Sequence, residues 1–171
     1  MAEDKKDAPN GKAGKATETA AQPEFRLLGQ YIGDLSFENP GGAKSILSGA
    51  ASPSFAVNIS VQVKKQEDSV YAVELSLVSK ATRDEAVLFN IELVYGGVFR
   101  AAGFADNQLP PILMIECPRL IFPFARQVLA SVTQAGGFPP LLMEPVNFEA
   151  LYRQNLAKMT QDSGANKPAT N

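Results

Sequence analysis

Histidine is absent from all 171 residues, which removes the commonest general base, the commonest metal ligand and every Ser-His or Cys-His pair. The one cysteine, Cys117, can form neither an intrachain disulfide nor a multi-thiolate zinc site, and is expected to be a buried spectator thiol. Chemistry is left to carboxylate, lysine and tyrosine. Asp34 and Glu38 share the parity of one alternating segment, and Glu92 lies on the polar parity of another, so all three can converge on one sheet face. A glycosidase-like acid and base would need a cleft that drives the two pKa values apart. These carboxylates instead alternate with Ser36 and Asn90 on a face expected to be wet, so no catalysis and no bound metal or other cofactor is expected. Pattern alone leaves two readings of that face, a solvated surface or an acidic docking surface. Gly96 and Gly97 lack the flanking residues of a phosphate loop, which leaves a strand bulge or a close backbone approach.

A second surface is apolar. In GGFPPLLMEPVNF, residues 136–148, glycines and prolines forbid a continuous helix, yet Phe138, Leu141, Leu142 and Met143 are apolar. The segment either packs under the sheet or forms a binding surface whose prolines lower the entropy lost on ordering. Ile46 and Leu47, in the Gly-rich connection after the first strand, are likewise too apolar for a plain loop.

These residues need a scaffold, and the periodicity supplies one. Alternation across 25–37 predicts a strand with Phe25, Leu27, Tyr31, Leu35 and Phe37 on one face. Residues 55–65 alternate more strictly, with Phe55, Val57, Ile59, Val61 and Val63 opposite Asn58, Ser60, Gln62 and Lys64. Residues 70–80 and 87–95 continue the pattern, and short polar links predict an antiparallel meander with one wet face, on which Val78, Leu88 and Val94 are apolar exceptions needing cover. From Leu109 to Gln134 a long helical segment is expected, kinked at Pro118 and Pro123 and stopped at Gly136 and Gly137. A last helix starts after Asn147, with Phe148, Leu151, Tyr152, Leu156 and Met159 as its apolar stripe. The fold class is α+β, a four-stranded antiparallel sheet followed by helices.

Residues 1–22 carry no bulky apolar residue after Met1 and are expected to form a disordered arm, with an ordered body over 24–160 and a flexible tail over 161–171. Sixteen basic against 18 acidic residues provide no cationic surface for nucleic acid. The longest apolar run is too short to span a bilayer and the start has no signal-peptide core, so a cytoplasmic protein without membrane insertion is expected.

Four blocks in this order, DLSFE at 34–38, ELVYGGVF at 92–99, ECPRLIFPFAR at 116–126 and GGFPPLLMEPVNFEALY at 136–152, resemble the SecB family of export chaperones. The resemblance implies a dimer-of-dimers homotetramer without catalytic activity that holds unfolded precursor proteins in apolar grooves and passes them to the motor ATPase SecA. It also implies an acidic outer sheet face for SecA, matched by Asp34, Glu38 and Glu92, while Asn90 stands where a family member carries an apolar residue. The groove would be lined by Ile46, Leu47, Phe138, Leu141 and Leu142. A scaffold for folded partners is the alternative, distinguished by whether unfolded chains are held.

Overall fold

A computed structural model describes residues 22–47 and 53–165. The expected arm, apart from Gln22, and the end of the expected tail at 166–171 lie outside the described residues. Four strands, β1 (Glu24–Glu38), β2 (Ser54–Glu67), β3 (Val70–Arg83) and β4 (Ala86–Ala102), form one antiparallel sheet in the order β1-β4-β3-β2. The polar links join β2, β3 and β4 as hairpins. The first strand pairs with β4 rather than β2, so the connection carrying the short helix α1 (Ala43–Leu47) leads from one sheet edge to the other.

The helical segment from Leu109 to Ala135 has three parts: α2 (Leu109–Pro111), a π-helical turn (Ile112–Glu116) and α3 (Cys117–Ala135). The irregularity sits immediately before Pro118, whose ring nitrogen has no hydrogen to donate, and the Cys117 N–H reaches back five residues to the Ile112 carbonyl. Pro123 is carried inside α3. Helix α4 (Phe148–Ala165) opens on Asn147, whose Oδ1 accepts the Ala150 N–H at 3.0 Å as an N-cap. Only the start of its apolar stripe is covered. Phe148 is buried edge-on against Phe122, whereas Leu156 and Met159 are exposed.

The core lies between the sheet and α3. Val73, Leu75 and Leu77 of β3 and Phe89, Ile91, Leu93 and Phe99 of β4 meet Ile121, Ala125 and Leu129 of α3, all of them buried. Burial of a Leu, Ile or Phe side chain contributes about 1.5–3 kcal/mol, so the two central strands and this one helix hold the fold together.

Three bulges change the faces that alternation assigned. Register shifts between Leu27 and Gly29 and between Ile32 and Asp34 reverse the parity of the middle of β1. Tyr31, expected on the apolar face with Phe25 and Phe37, instead stands opposite Gly96 on the outer face, bonded to Glu74. The third shift lies between Ala81 and Thr82, opposite Leu88, and that leucine joins the core at 4% exposure instead of standing on the polar face.

Candidate functional site

The outer face is a grid set by strand register, since residues directly opposed in an antiparallel pair share a face. Glu38 pairs with Asn90 and then Lys80, Ser36 with Glu92 and then Val78, and Asp34 with Val94 and then Ser76. The three expected carboxylates therefore do come together. Asp34 and Glu38 sit two rows apart on β1, with Glu92 on β4 in the row between. All three are exposed, and none forms an ion pair among the described residues. A shallow depression beside them is lined by Glu38, Asn58, Val78, Lys80, Asn90 and Glu92. Val78 is 36% exposed at its centre, so the acidic face also has an apolar spot.

A belt of side chains closes the next row. The Tyr31 hydroxyl donates to Glu74 Oε1 at 2.9 Å, and Lys64 Nζ donates to Glu74 Oε2 at 2.7 Å, which ties β1, β3 and β2 together across the face. The hydrogen bond from Lys64 holds the Glu74 carboxyl below its ordinary range. Partial burial, reinforced by that carboxylate, pushes the Tyr31 hydroxyl up to about 12. Gly96 lies under the Tyr31 ring, and Gly97 faces Phe99 and Ile121, so the paired glycines serve close approach.

The helix side of the sheet carries the apolar surface. Phe37, Phe55, Phe89 and Phe138 form one aromatic cluster, with Phe89 and Phe138 centroids 4.9 Å apart and Phe37 and Phe89 centroids 5.4 Å apart. At its margin Phe55 is 45% exposed. The segment after α3 begins with a Schellman motif: the Phe138 N–H bonds the Thr133 carbonyl, the Gly137 N–H bonds the Gln134 carbonyl, and Gly137 is left-handed at φ +87°. Ile46 lies directly over Gly137, where a Cβ would stand 2.9 Å from its Cδ1. Two segments some ninety residues apart in the chain thus share one apolar patch.

The expected groove residues divide by burial. Phe138 and Leu141 are core side chains at 8% and 4% exposure, while Ile46, Leu47 and Leu142 are open at 57%, 82% and 78%. Phe37, Phe55 and Phe89 were legible only as strand residues, since nothing in the spacing brings them to Phe138. Cys117 is fully buried, and burial aided by the Glu116 charge pushes its thiol up to about 12, which leaves it protonated and inert at neutral pH. Among the described residues no group of three His, Cys, Asp or Glu side chains is placed to hold a metal. No helix among them is long and apolar enough to cross a membrane.

The chain is thus an α+β protein with exposed carboxylates on one side of its sheet and exposed apolar side chains on the other. Residues 18–159 match the family described as preprotein translocase subunit SecB. The chain is 47% identical to the protein-export protein SecB of Mesorhizobium japonicum over 161 residues, covering 94% of this chain and 95% of that one. It is also 47% identical to the protein-export protein SecB of Maricaulis maris over 152 residues, covering 89% and 87%. A solved SecB-like chaperone of Mycobacterium tuberculosis, in complex with a peptide of the HigA1 antitoxin, shares the fold at TM-score 0.57 and 12% identity, covering 71% of this chain and 87% of that one. The chain belongs to the SecB family of protein-export chaperones.

Proposed function

We propose that this protein holds unfolded precursor proteins without ATP in the apolar patch, keeps them competent for export, and passes them to SecA through its acidic face. The observation that carries this reading is Ile46, 57% exposed, lying over Gly137 beside the partly open phenylalanine cluster. Unfolded chains share exposed apolar side chains that folded proteins bury, so a surface of this kind selects them without reading their sequence. Phe138 and Leu141 form the floor, and Ile46, Leu47, Leu142 and Phe55 the accessible surface.

Magnitudes favour reversible holding. A client segment burying about 800 Å² of apolar surface gains about 20 kcal/mol, from which association and ordering subtract about 4–15 kcal/mol. Several such patches on one assembly add avidity. A dimer-of-dimers tetramer is the assembly we propose. Leu120 and Phe124, exposed at 46% and 51% on α3, are apolar surface that a neighbouring subunit would cover.

The acidic face fits a basic segment of SecA, with Asp34, Glu38 and Glu92 as the charges and Asn90 as a polar neighbour. Such contacts set approach and specificity and weaken in salt.

The test is dilution of a denatured client into buffer with this protein and no nucleotide. A stoichiometric delay in refolding is expected. Refolding at the free rate would reject a holdase and leave a scaffold for folded partners.

A further inference from the structure

The segment after α3 is fixed to that helix by two side chains seven positions apart on one helix face. Thr133, fully buried, donates its hydroxyl to the Leu129 carbonyl at 2.9 Å or the Ala130 carbonyl at 3.1 Å, and the same oxygen accepts the Leu141 N–H at 2.9 Å. Its backbone carbonyl accepts the Phe138 N–H at 3.1 Å. Thr133 therefore holds the segment at two points. Arg126 supplies the third by donating from Nη1 to the Met143 carbonyl at 3.2 Å. Between the pinned residues Leu141 and Met143 stands Leu142, 78% exposed.

We infer that Thr133 and Arg126 are positioning residues for client binding: they touch no client, and they hold residues 138–143 so that Leu142 is presented outward before a client arrives. This deepens the holdase reading and rests on it. The chemistry argues for the inference in two ways. A hydroxyl inside an apolar helix face costs desolvation, and valine would fill the same volume without it, so the oxygen's service is the bond it makes to Leu141. An exposed leucine on a loose loop loses its freedom when a client binds, whereas one held between two hydrogen-bonded neighbours has already lost it. The partners are apolar stretches of extended, unfolded chain, whose varied sequences offer the loop no fixed set of side-chain hydrogen bonds to order it.

The experiment uses the full chain in its native assembly and reduced, carboxymethylated α-lactalbumin as a permanently unfolded probe. Four variants are compared: Thr133→Val, Thr133→Ser, Arg126→Met and Leu142→Ser. Binding is read by fluorescence anisotropy and loop order by amide hydrogen exchange over 138–147. Thr133→Val is expected to speed exchange there and weaken probe binding by roughly three- to tenfold, the range that ordering one side chain represents. Thr133→Ser should restore both, and Arg126→Met, at a half-buried position where misfolding is not expected, should reproduce a smaller loss of both. If Leu142→Ser weakens binding but Thr133→Val and Arg126→Met speed exchange with affinity unchanged, the positioning role is overturned and the apolar patch stands. If Leu142→Ser leaves affinity unchanged, Leu142 is no client contact and the inference falls with that part of the patch.

Discussion

The ring of Tyr31 on β1 lies across Gly96 on β4, its register partner, so closely that a Cβ on Gly96 would enter the ring. That contact sets the hydroxyl within 2.9 Å of Glu74 on the next strand. A sheet edge is thereby fastened to the sheet centre by a side chain whose seat is the absence of another.

Gly96→Ala is expected to cost about 1–3 kcal/mol, the usual range for overpacking, and to lower the midpoint of thermal unfolding. The same substitution in a Tyr31→Ala background should cost less than about 1 kcal/mol, because the obstructing ring is gone. Equal costs in the two backgrounds, measured by urea unfolding, would place the strain elsewhere.

The belt also predicts pH dependence. The Tyr31 hydroxyl titrates near 12 in the folded chain against an ordinary 10.0, so the unfolded chain releases its proton first and stability falls as pH rises from about 10 toward 12. Glu74, lowered from 4.5, contributes stability that is present above that value and is lost as pH falls through its folded pKa. Tyr31→Phe should flatten the alkaline limb and Glu74→Gln the acid limb of a stability profile. Limbs unchanged from wild type would show that the belt does not couple to folding.

Gly137→Ala tests the helix end. Its φ of +87° disfavours any side chain, by about 1–2 kcal/mol for a left-handed residue, and the new Cβ would meet Ile46. Expected are a lower melting temperature and weaker client binding together, because Ile46 must move. Hydrogen exchange localised to 136–141 would confirm the origin; a variant indistinguishable from wild type would contradict the contact.

On the outer face, Glu92→Lys and Asp34→Lys should each weaken the proposed SecA contact several-fold at low salt while client holding persists, since the sheet separates the two surfaces. Titration of SecA against each variant decides it. Unchanged affinity in both would remove these carboxylates from the contact.

Much of this was legible in the chain. Strict alternation in 55–65 gave β2 its faces, and Asn147 caps α4 as its side chain predicts. The reversed face of Tyr31 was missed because a bulge adds one residue to a period of two, and everything on its far side changes face. Gly29 and Gly33, glycines inside a strand pattern beside the two shifts, were the available signal. The π-helical turn expresses a backbone donor that Pro118 lacks, so the expected irregularity appears one turn earlier than the proline itself. Burial within PPLLM could not be read at all. Leu141 and Leu142 are chemically identical neighbours, and what distinguishes them, the bonds from Thr133 and Arg126 that fix the segment against α3, comes from residues eight or more positions earlier in the chain. The phenylalanine cluster draws on β1, β2, β4 and the segment after α3, contacts that exist only once the chain has closed.

The central claim is that exposed apolar side chains on the helix side hold unfolded chains. The most direct measurement is the affinity of an unfolded client for Ile46→Ser and Leu142→Ser, taken with the melting temperature and assembly size of each variant. Both side chains are largely exposed, so neither change should approach the about 2–5 kcal/mol cost of truncating a core leucine. Nearly unchanged melting and assembly with clearly weaker client binding is the result predicted. A sharp fall in melting temperature, with client affinity per folded assembly preserved, would contradict the account and make these residues structural.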